Sequence, residues 1–370
     1  MQVKFIDLKA QYLSIKSEID KAIECVLLDS AFADGSYVQE FEKNFAKAHN
    51  AKYCVAVNSG TAALHAALMG FGIKRGDEVI VPTNTFFSTP LSVTLAGATP
   101  VFVDCDSDSY NIDVDKIEDA ITDKTKAIIP VHLYGQPSEV EEIKSLANRH
   151  NLIVIEDCAQ AHLAKHKGDF VGSFGDCGCF SFYCGKNLGA YGEGGAVLTN
   201  NVELYTKLKM IKNIGMSRKY HHDVIGHNYR MSGIQGAILN VKLKHLHDWT
   251  NTRRKNAGMY REYLSDCKDI ILPKEMDNIK HVYHLFVIRT KKRDELIYYL
   301  QEKGIETGIH YPIPCHLQKA YGDLHYKRGD FQVTEKISNE IISLPMSEQI
   351  KENEIKYVSS SIKDFFKKQF

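Results

Sequence analysis

The 370-residue sequence has no excess of either charge: lysine plus arginine and aspartate plus glutamate stand at 46 each. A bulk basic field that would gather nucleic acid or anionic lipid is excluded. Long apolar runs are also lacking. The opening MQVKFIDLKAQY carries Lys4 and Asp7 where a signal peptide would have its apolar core, and no later stretch reaches membrane-spanning length. These lacks predict a cytoplasmic chain whose partner is a small molecule. There is no CxxC pair among nine scattered cysteines, an odd number that suits free thiols in a reducing compartment. Cys177 and Cys179 would share one face of a strand, as small buried core residues sooner than as a metal pair, so no metal site is expected. No internal repeat or low-complexity linker is found. A chain of 370 residues exceeds the size of one usual core, so a large domain over residues 1–250 and a smaller one over 251–370 are expected.

What is present begins with helical residues 1–50. SEIDKAIECVLL has helical apolar spacing, and an amphipathic helix through Val38, Phe41 and Phe45 follows a turn at Asp34-Gly35. The pattern then changes to alternation. Strand 53–57, the polar turn Asn58-Ser59-Gly60-Thr61 and a small-residue helix would aim backbone N–H groups and a positive helix end at an anion, although an ordinary N-cap reads the same way. Strands are predicted at 78–82, 100–104, 127–132 and 152–157, with helices at 86–96, 114–121 and 139–148. Repeated βα units of this length argue for an α/β fold with a mostly parallel sheet covered on both faces. Such sheets bind ligands beyond the carboxyl ends of their strands. Residues 59–61, 85–86, 132–135 and 157–160 should therefore meet in one crevice.

Two residues carry the chemistry. Asp157 closes the apolar run LIVIE, so its carboxylate would emerge from a buried strand; it is a cap, a salt-bridge partner, or the mate of a cationic ligand such as a protonated pyridine nitrogen. Lys186 follows a predicted strand over 172–183 and is surrounded by Gly185, Gly189, Gly192, Gly194 and Gly195, which leave little bulk between it and a ligand. A desolvated lysine amine forms a Schiff base with a carbonyl compound, pyridoxal phosphate included. Beyond it are predicted a strand at 194–199, part of a helix at 207–212, a long irregular stretch at 215–232 and a helix at 234–263. The C-terminal part should hold a strand at 285–289, a helix at 293–303 and a strand at 342–346. Between them Pro312 and Pro314 keep His310, Tyr311 and His316 off any helix face. The lysine-rich end should be a solvated helix.

The motifs NSGTAAL (58–64), IEDCAQAH (155–162), FSFYCGKNLGAYGEGGAV (180–197), GHNYRMSGIQGA (226–237) and GIETGIHYPIPCHLQ (304–318) resemble the sugar aminotransferases of the DegT/DnrJ/StrS family, almost end to end. The resemblance implies the aspartate aminotransferase fold, fold type I, with a mostly parallel seven-stranded sheet, a small α+β C-terminal domain and a homodimer whose active sites lie between subunits. By position, Lys186 would bind pyridoxal 5'-phosphate as a Schiff base and shuttle protons. Asp157 would pair with the ring nitrogen, Gln160 would bond the ring hydroxyl and Phe86 would stack on the ring. Gly60, Thr61 and Ser181 would hold the phosphate, joined by Asn228 of the partner subunit. FYxGKNLGAYGxGGA with SRKYHH is similar to the subgroup that aminates C3 of nucleotide-linked 3-keto-6-deoxyhexoses, and there Tyr183, Tyr220, His221, His310 and Tyr311 would meet the sugar or its nucleotide. The implied reaction passes the amino group of L-glutamate through pyridoxamine phosphate to a dTDP-linked 3-keto sugar. Amination at C4, action on a keto-inositol, or a regulatory role with a vestigial site are the rival readings. Cys184 departs from the proline, and Leu163 from the glycine, common in the subgroup.

Overall fold

The computed structural model describes residues 1–367. Its main sheet has seven strands: β1 Tyr53–Val57, β2 Glu78–Pro82, β3 Thr99–Val103, β4 Thr125–Ile128, β5 Ile153–Asp157, β6 Cys177–Ser181 and β7 Gly195–Thr199. They lie in the order β1-β7-β6-β5-β4-β2-β3. All neighbours run parallel except that β7 is antiparallel to both β1 and β6. Side chains alternate across the sheet with period two. On one face Val55, Val57, Val79, Val81, Ile155, Cys177, Cys179 and Val197 pack with the small residues of helix Gly60–Gly70. On the other, Ala56, Phe180, Phe182 and Leu198 meet Val38, Phe41 and Phe45 of helix Ser36–Ala48. Each of those buried phenylalanines contributes about 1.5–3 kcal/mol. Cys177 and Cys179 are thus core residues, and all nine cysteines are free.

Helix Gly233–Leu264 is continuous through residue 250. Its first half packs on helices Lys16–Leu28 and Ser36–Ala48. Further on, Ala257, Tyr260 and Leu264 join a separate C-terminal core with the antiparallel pair Phe286–Arg289 and Ile341–Leu344. Val3 enters the same cluster and donates its backbone N–H to the Gly304 carbonyl at 2.8 Å, so residue 3 is bound into the C-terminal part.

Three expectations are corrected. Residues 114–121 form two 3-10 turns, Val114–Lys116 and Glu118–Ala120, in place of a helix. The segment is short for the cost of helix nucleation, and Ile117 alone among its side chains is fully buried. The strand expected over 172–183 is confined to Cys177–Ser181. Upstream, the N–H groups of Gly172, Phe174 and Gly175 turn around the Glu156 carboxylate at 2.7–2.9 Å and do not pair with a strand. The final helix, Glu352–Lys367, is not solvated on all sides: Ile355, Val358, Ile362, Phe365 and Phe366 bury one face. Residues 368–370 lie outside the described part. No helix among the described residues is long and apolar enough to cross a membrane.

Candidate active site

The four predicted strand ends do converge, and hydrogen bonds trace the convergence. Helix Gly60–Gly70 is N-capped by Ser59, whose hydroxyl accepts from the Ala62 N–H at 3.1 Å. The N-cap is present, and capping spends one N–H while leaving those of Gly60 and Thr61 at the first positions without intrahelical acceptors, so the turn keeps donors that an anion would need. Gly60 is required there: a Cβ would stand 2.6 Å from that of Ser181 at the end of β6. Thr61 donates its hydroxyl to Ser88 Oγ at 2.9 Å, where helix Ser88–Leu95 begins. In that helix Thr89 donates to Asp157 Oδ2 at 2.8 Å, and Thr85 Oγ1 lies 2.9 Å from Thr89 Oγ1. The His132 N–H reaches the Asp157 carbonyl at 3.1 Å, and Tyr134 N–H donates to Gln160 Oε1 at 2.5 Å.

Asp157 is 5 % exposed at the end of β5. Its carboxylate accepts from Thr89 and, at 3.1 Å, from the Ala159 N–H. Burial nevertheless holds its pKa above the usual aspartate value, with those two donors and the charge of Lys186 opposing. Lys186 is partly buried, and loss of water pushes its amine down to about 8, against the pull of Asp157. Its Nζ makes no hydrogen bond or ion pair among the described residues. The loop that presents it is strongly braced. Lys186 N–H donates to the Tyr183 carbonyl at 2.8 Å, and Ala190 N–H to that of Phe182 at 2.8 Å. Lys242 of helix Gly233–Leu264 donates to the Gly189 carbonyl at 2.7 Å with its Nζ 4.3 Å from the Tyr191 ring centre. Gly189 permits the fold of this loop, since a Cβ would lie 2.3 Å from the Cys184 carbonyl oxygen.

From the C-terminal part, Tyr311 accepts from Gln160 Nε2 at 3.1 Å, and its ring centre lies 5.4 Å from that of Phe86. The Tyr134 hydroxyl donates to the His310 carbonyl, and His310 Nδ1 lies 2.8 Å from Ser343 Oγ. Burial and the Lys186 charge push the His310 imidazole down to about 4, so it is neutral at physiological pH. Gly60, Thr61, Phe86, Asp157, Gln160, Ser181, Lys186, His310 and Tyr311 are thereby brought together. Tyr183, half exposed, sits two residues past the end of β6. Tyr220 and His221 are not brought in: they lie on an exposed ribbon, Met216–Arg218 paired with His221–His222, and Tyr220 is 79 % exposed. Asn228 approaches the cup only through its carbonyl, which accepts from Asn58 Nδ2 at 3.3 Å, while its side chain is exposed.

The sequence reading missed Ser88 and Thr89, the bracing Lys242, and His284, whose Nδ1 lies 3.2 Å from Asn187 Oδ1 and whose imidazole burial drives well below its usual pKa. A signal for Ser88 and Thr89 existed in the polar start of a short helix after a strand. Lys242, set in the middle of a long helix, offered none.

The set fits pyridoxal phosphate on its own chemistry. Free N–H groups at a helix start beside two hydroxyls suit a phosphate, a buried under-compensated carboxylate suits a protonated pyridine, and a desolvated amine suits an aldehyde. Comparison with known proteins agrees. Residues 13–363 match the DegT/DnrJ/EryC1/StrS aminotransferase family. The chain is 45 % identical over 99 % of both chains to a "pleiotropic regulatory protein" of Geobacillus stearothermophilus. It is 44 % identical to the dTDP-3-amino-3,6-dideoxy-alpha-D-galactopyranose transaminase of Aneurinibacillus thermoaerophilus, over 97 % of this chain and 98 % of that one. The crystal structure of S. venezuelae DesV, described as a complex with a ketimine intermediate, superposes with a TM-score of 0.97 at 40 % identity, covering 98 % of each chain.

Proposed function

We propose, from the premise that the chain belongs to the DegT/DnrJ/EryC1/StrS aminotransferase family and is a pyridoxal-phosphate-dependent nucleotide-sugar aminotransferase, that its reaction moves the amino group of L-glutamate to C3 of a dTDP-linked 3-keto-6-deoxyhexose. The products are the dTDP-3-amino-3,6-dideoxyhexose and 2-oxoglutarate. The observation that carries the cofactor chemistry is the pair of Asp157, buried with its charge incompletely satisfied, and Lys186, its amine unpartnered and pushed to about 8. The C3 position and the dTDP carrier are drawn from similarity to the dTDP-3-amino sugar transaminase.

Pyridoxal phosphate, when bound, supplies an aldehyde that takes up the amino group and a conjugated ring that spreads the charge of a carbanion. Gly60, Thr61 and Ser181 would hold its phosphate, Phe86 would cover its ring, Gln160 would donate its remaining Nε2 hydrogen to the ring hydroxyl, and Asp157 would keep the ring nitrogen protonated. Lys186 Nζ, with its pKa near 8, exchanges protons readily at neutral pH, so one positioned amine can take a proton from a substrate carbon and return it. His310, neutral because of burial, and Tyr311 and Tyr183 offer polar edges and flat faces for a pyranose.

A homodimer completes the site. Tyr220, Val224 and Ile225 are exposed at 79 %, 39 % and 83 %, an apolar surface suited to a second subunit. Tyr220, His221 and Asn228 on this stretch would serve the partner's cleft. Amination assays with glutamate test the proposal, using dTDP-3-keto-6-deoxyhexose generated in place by a ketoisomerase and, separately, its 4-keto isomer. NMR placing the new amine at C3 supports the reading. An amine at C4 overturns the regiochemistry and leaves the cofactor chemistry intact.

A further inference from the structure

Two groups of metal-binding side chains stand close together among the described residues: His132 with Glu156 and Cys158, and Glu139 with Glu142 and His166. The first is closed. His132 Nε2 lies 3.0 Å from Glu156, its Nδ1 accepts from the Ser138 N–H at 3.0 Å, and Glu156 also accepts from three backbone N–H groups. Burial keeps the Cys158 thiol protonated. The donor atoms of His132 and Glu156 are engaged within the protein, and a protonated thiol is a poor ligand.

The second group is open. His166 is 2 % exposed, yet neither ring nitrogen has a hydrogen-bond partner. One of its nitrogens, one oxygen of Glu139 and one of Glu142 all lie within 4.8 Å of one another. Neither carboxylate takes part in a hydrogen bond or ion pair among the described residues, and the neighbouring Lys167 pairs with Glu141. A buried imidazole without a partner is costly, and facing carboxylates repel. The Glu139 carboxyl is held up by burial and by the charge of Glu142.

Local structure fixes all three donors. Glu139 occupies the N-cap position of helix Val140–Arg149 without a side-chain capping bond, and Glu142 stands in its first turn, three residues on and so on the same face. His166 ends a strand pair, Lys165–His166 with Asp169–Phe170, closed by Lys167 and Gly168 at φ 48° and 97°, the signs of a type I′ turn that sets its register. The Phe174 ring meets the imidazole edge-on at 5.7 Å.

We propose that Glu139, Glu142 and His166 bind one divalent ion of the zinc type, clipping the start of helix Val140–Arg149 to the small sheet that carries His166. One imidazole and two carboxylates form a three-ligand set that water completes to a tetrahedron, and the imidazole favours zinc over calcium or magnesium. The proposal stands apart from the aminotransferase reading, because none of the three residues is assigned to cofactor or sugar.

The test uses the holoenzyme, freed of metal with EDTA and titrated with zinc chloride by calorimetry, with bound metal counted by mass spectrometry after gel filtration. One tightly held zinc per chain is expected in the unaltered protein. In the double variant Glu139→Gln/Glu142→Gln affinity should fall at least ~100-fold, beyond what loss of an outer-shell partner causes. The same variant should unfold no earlier than the unaltered protein in the absence of metal. His166→Gln should match it in metal affinity, and if that variant fails to fold the double variant decides alone. No zinc uptake, or equal uptake by the double variant through exposed histidines, overturns the proposal.

Discussion

Glu156 and Asp157 are neighbours on one strand, yet the chain treats them oppositely. Glu156 is fully buried and accepts from three backbone N–H groups and His132, so its bonding capacity is filled within the protein. Asp157, on the other face, has two donors and a carboxyl that burial raises. Lysine repeats the contrast. Lys186 and Lys242 are both pushed down to about 8 by loss of water, but Lys242 is bound to the Gly189 carbonyl and Lys186 to nothing. Depressed or raised pKa values therefore do not mark the site by themselves. Within these two pairs the candidate active site is at the member whose demand is unmet, and the filled members brace neighbouring loops.

The contrast can be broken at each member. Lys186→Ala should lower amination on the order of 10⁴-fold, because proton transfer is removed along with the cofactor's covalent anchor. Its thermal midpoint should not drop, and product NMR with calorimetry checks both. Glu156→Ala should instead cost about 3–5 kcal/mol of stability, since it leaves buried His132 and the N–H groups of buried Gly172 and half-buried Phe174 and Gly175 without their partner. Urea unfolding measures it, and the folded fraction should retain its turnover. Asp157→Asn should leave stability nearly unchanged while activity falls on the order of 100-fold or more, a loss typical of removing one preorganised electrostatic contact. If Glu156→Ala and Asp157→Asn gave the same profile, the distinction between them would be lost. A finer effect is in pH. The Lys186 amine is deprotonated above about 8, so capture of pyridoxal phosphate by the apoenzyme should rise with pH and level off there. A rise continuing toward the 10.5 of an ordinary lysine would mean that Lys186 is not desolvated.

Much of this was readable in the residues. The apolar run before Asp157 set a buried strand with a carboxylate at its exit, and the βα alternation placed four turns in one crevice, as found. The glycines around Lys186 are read as leaving room for a ligand; the structure adds a second reason for one of them, Gly189, which packs against the Cys184 carbonyl. Leu163 departs from an expected glycine and adopts φ 62°, a left-handed conformation that explains why glycine suits the position. Other features depended on distance in sequence. Thr89 reaches Asp157 across 68 residues and Lys242 reaches Gly189 across 53, and neither has a local signature. Glu156 was passed over beside Asp157 because only the folded loop at 172–175 reveals which carboxylate is filled. Tyr220 and His221 lie on an exposed ribbon that the single chain does not bring to Lys186, a placement that no local pattern in the sequence reveals.

Reduction of the holoenzyme with borohydride, followed by peptide mapping, addresses the central claim directly, because two lysines share the same depressed pKa and differ in whether their amine is engaged. The account predicts one pyridoxyl adduct per chain, on Lys186. An adduct on Lys242, or label spread over surface lysines with Lys186 unmodified, would contradict it.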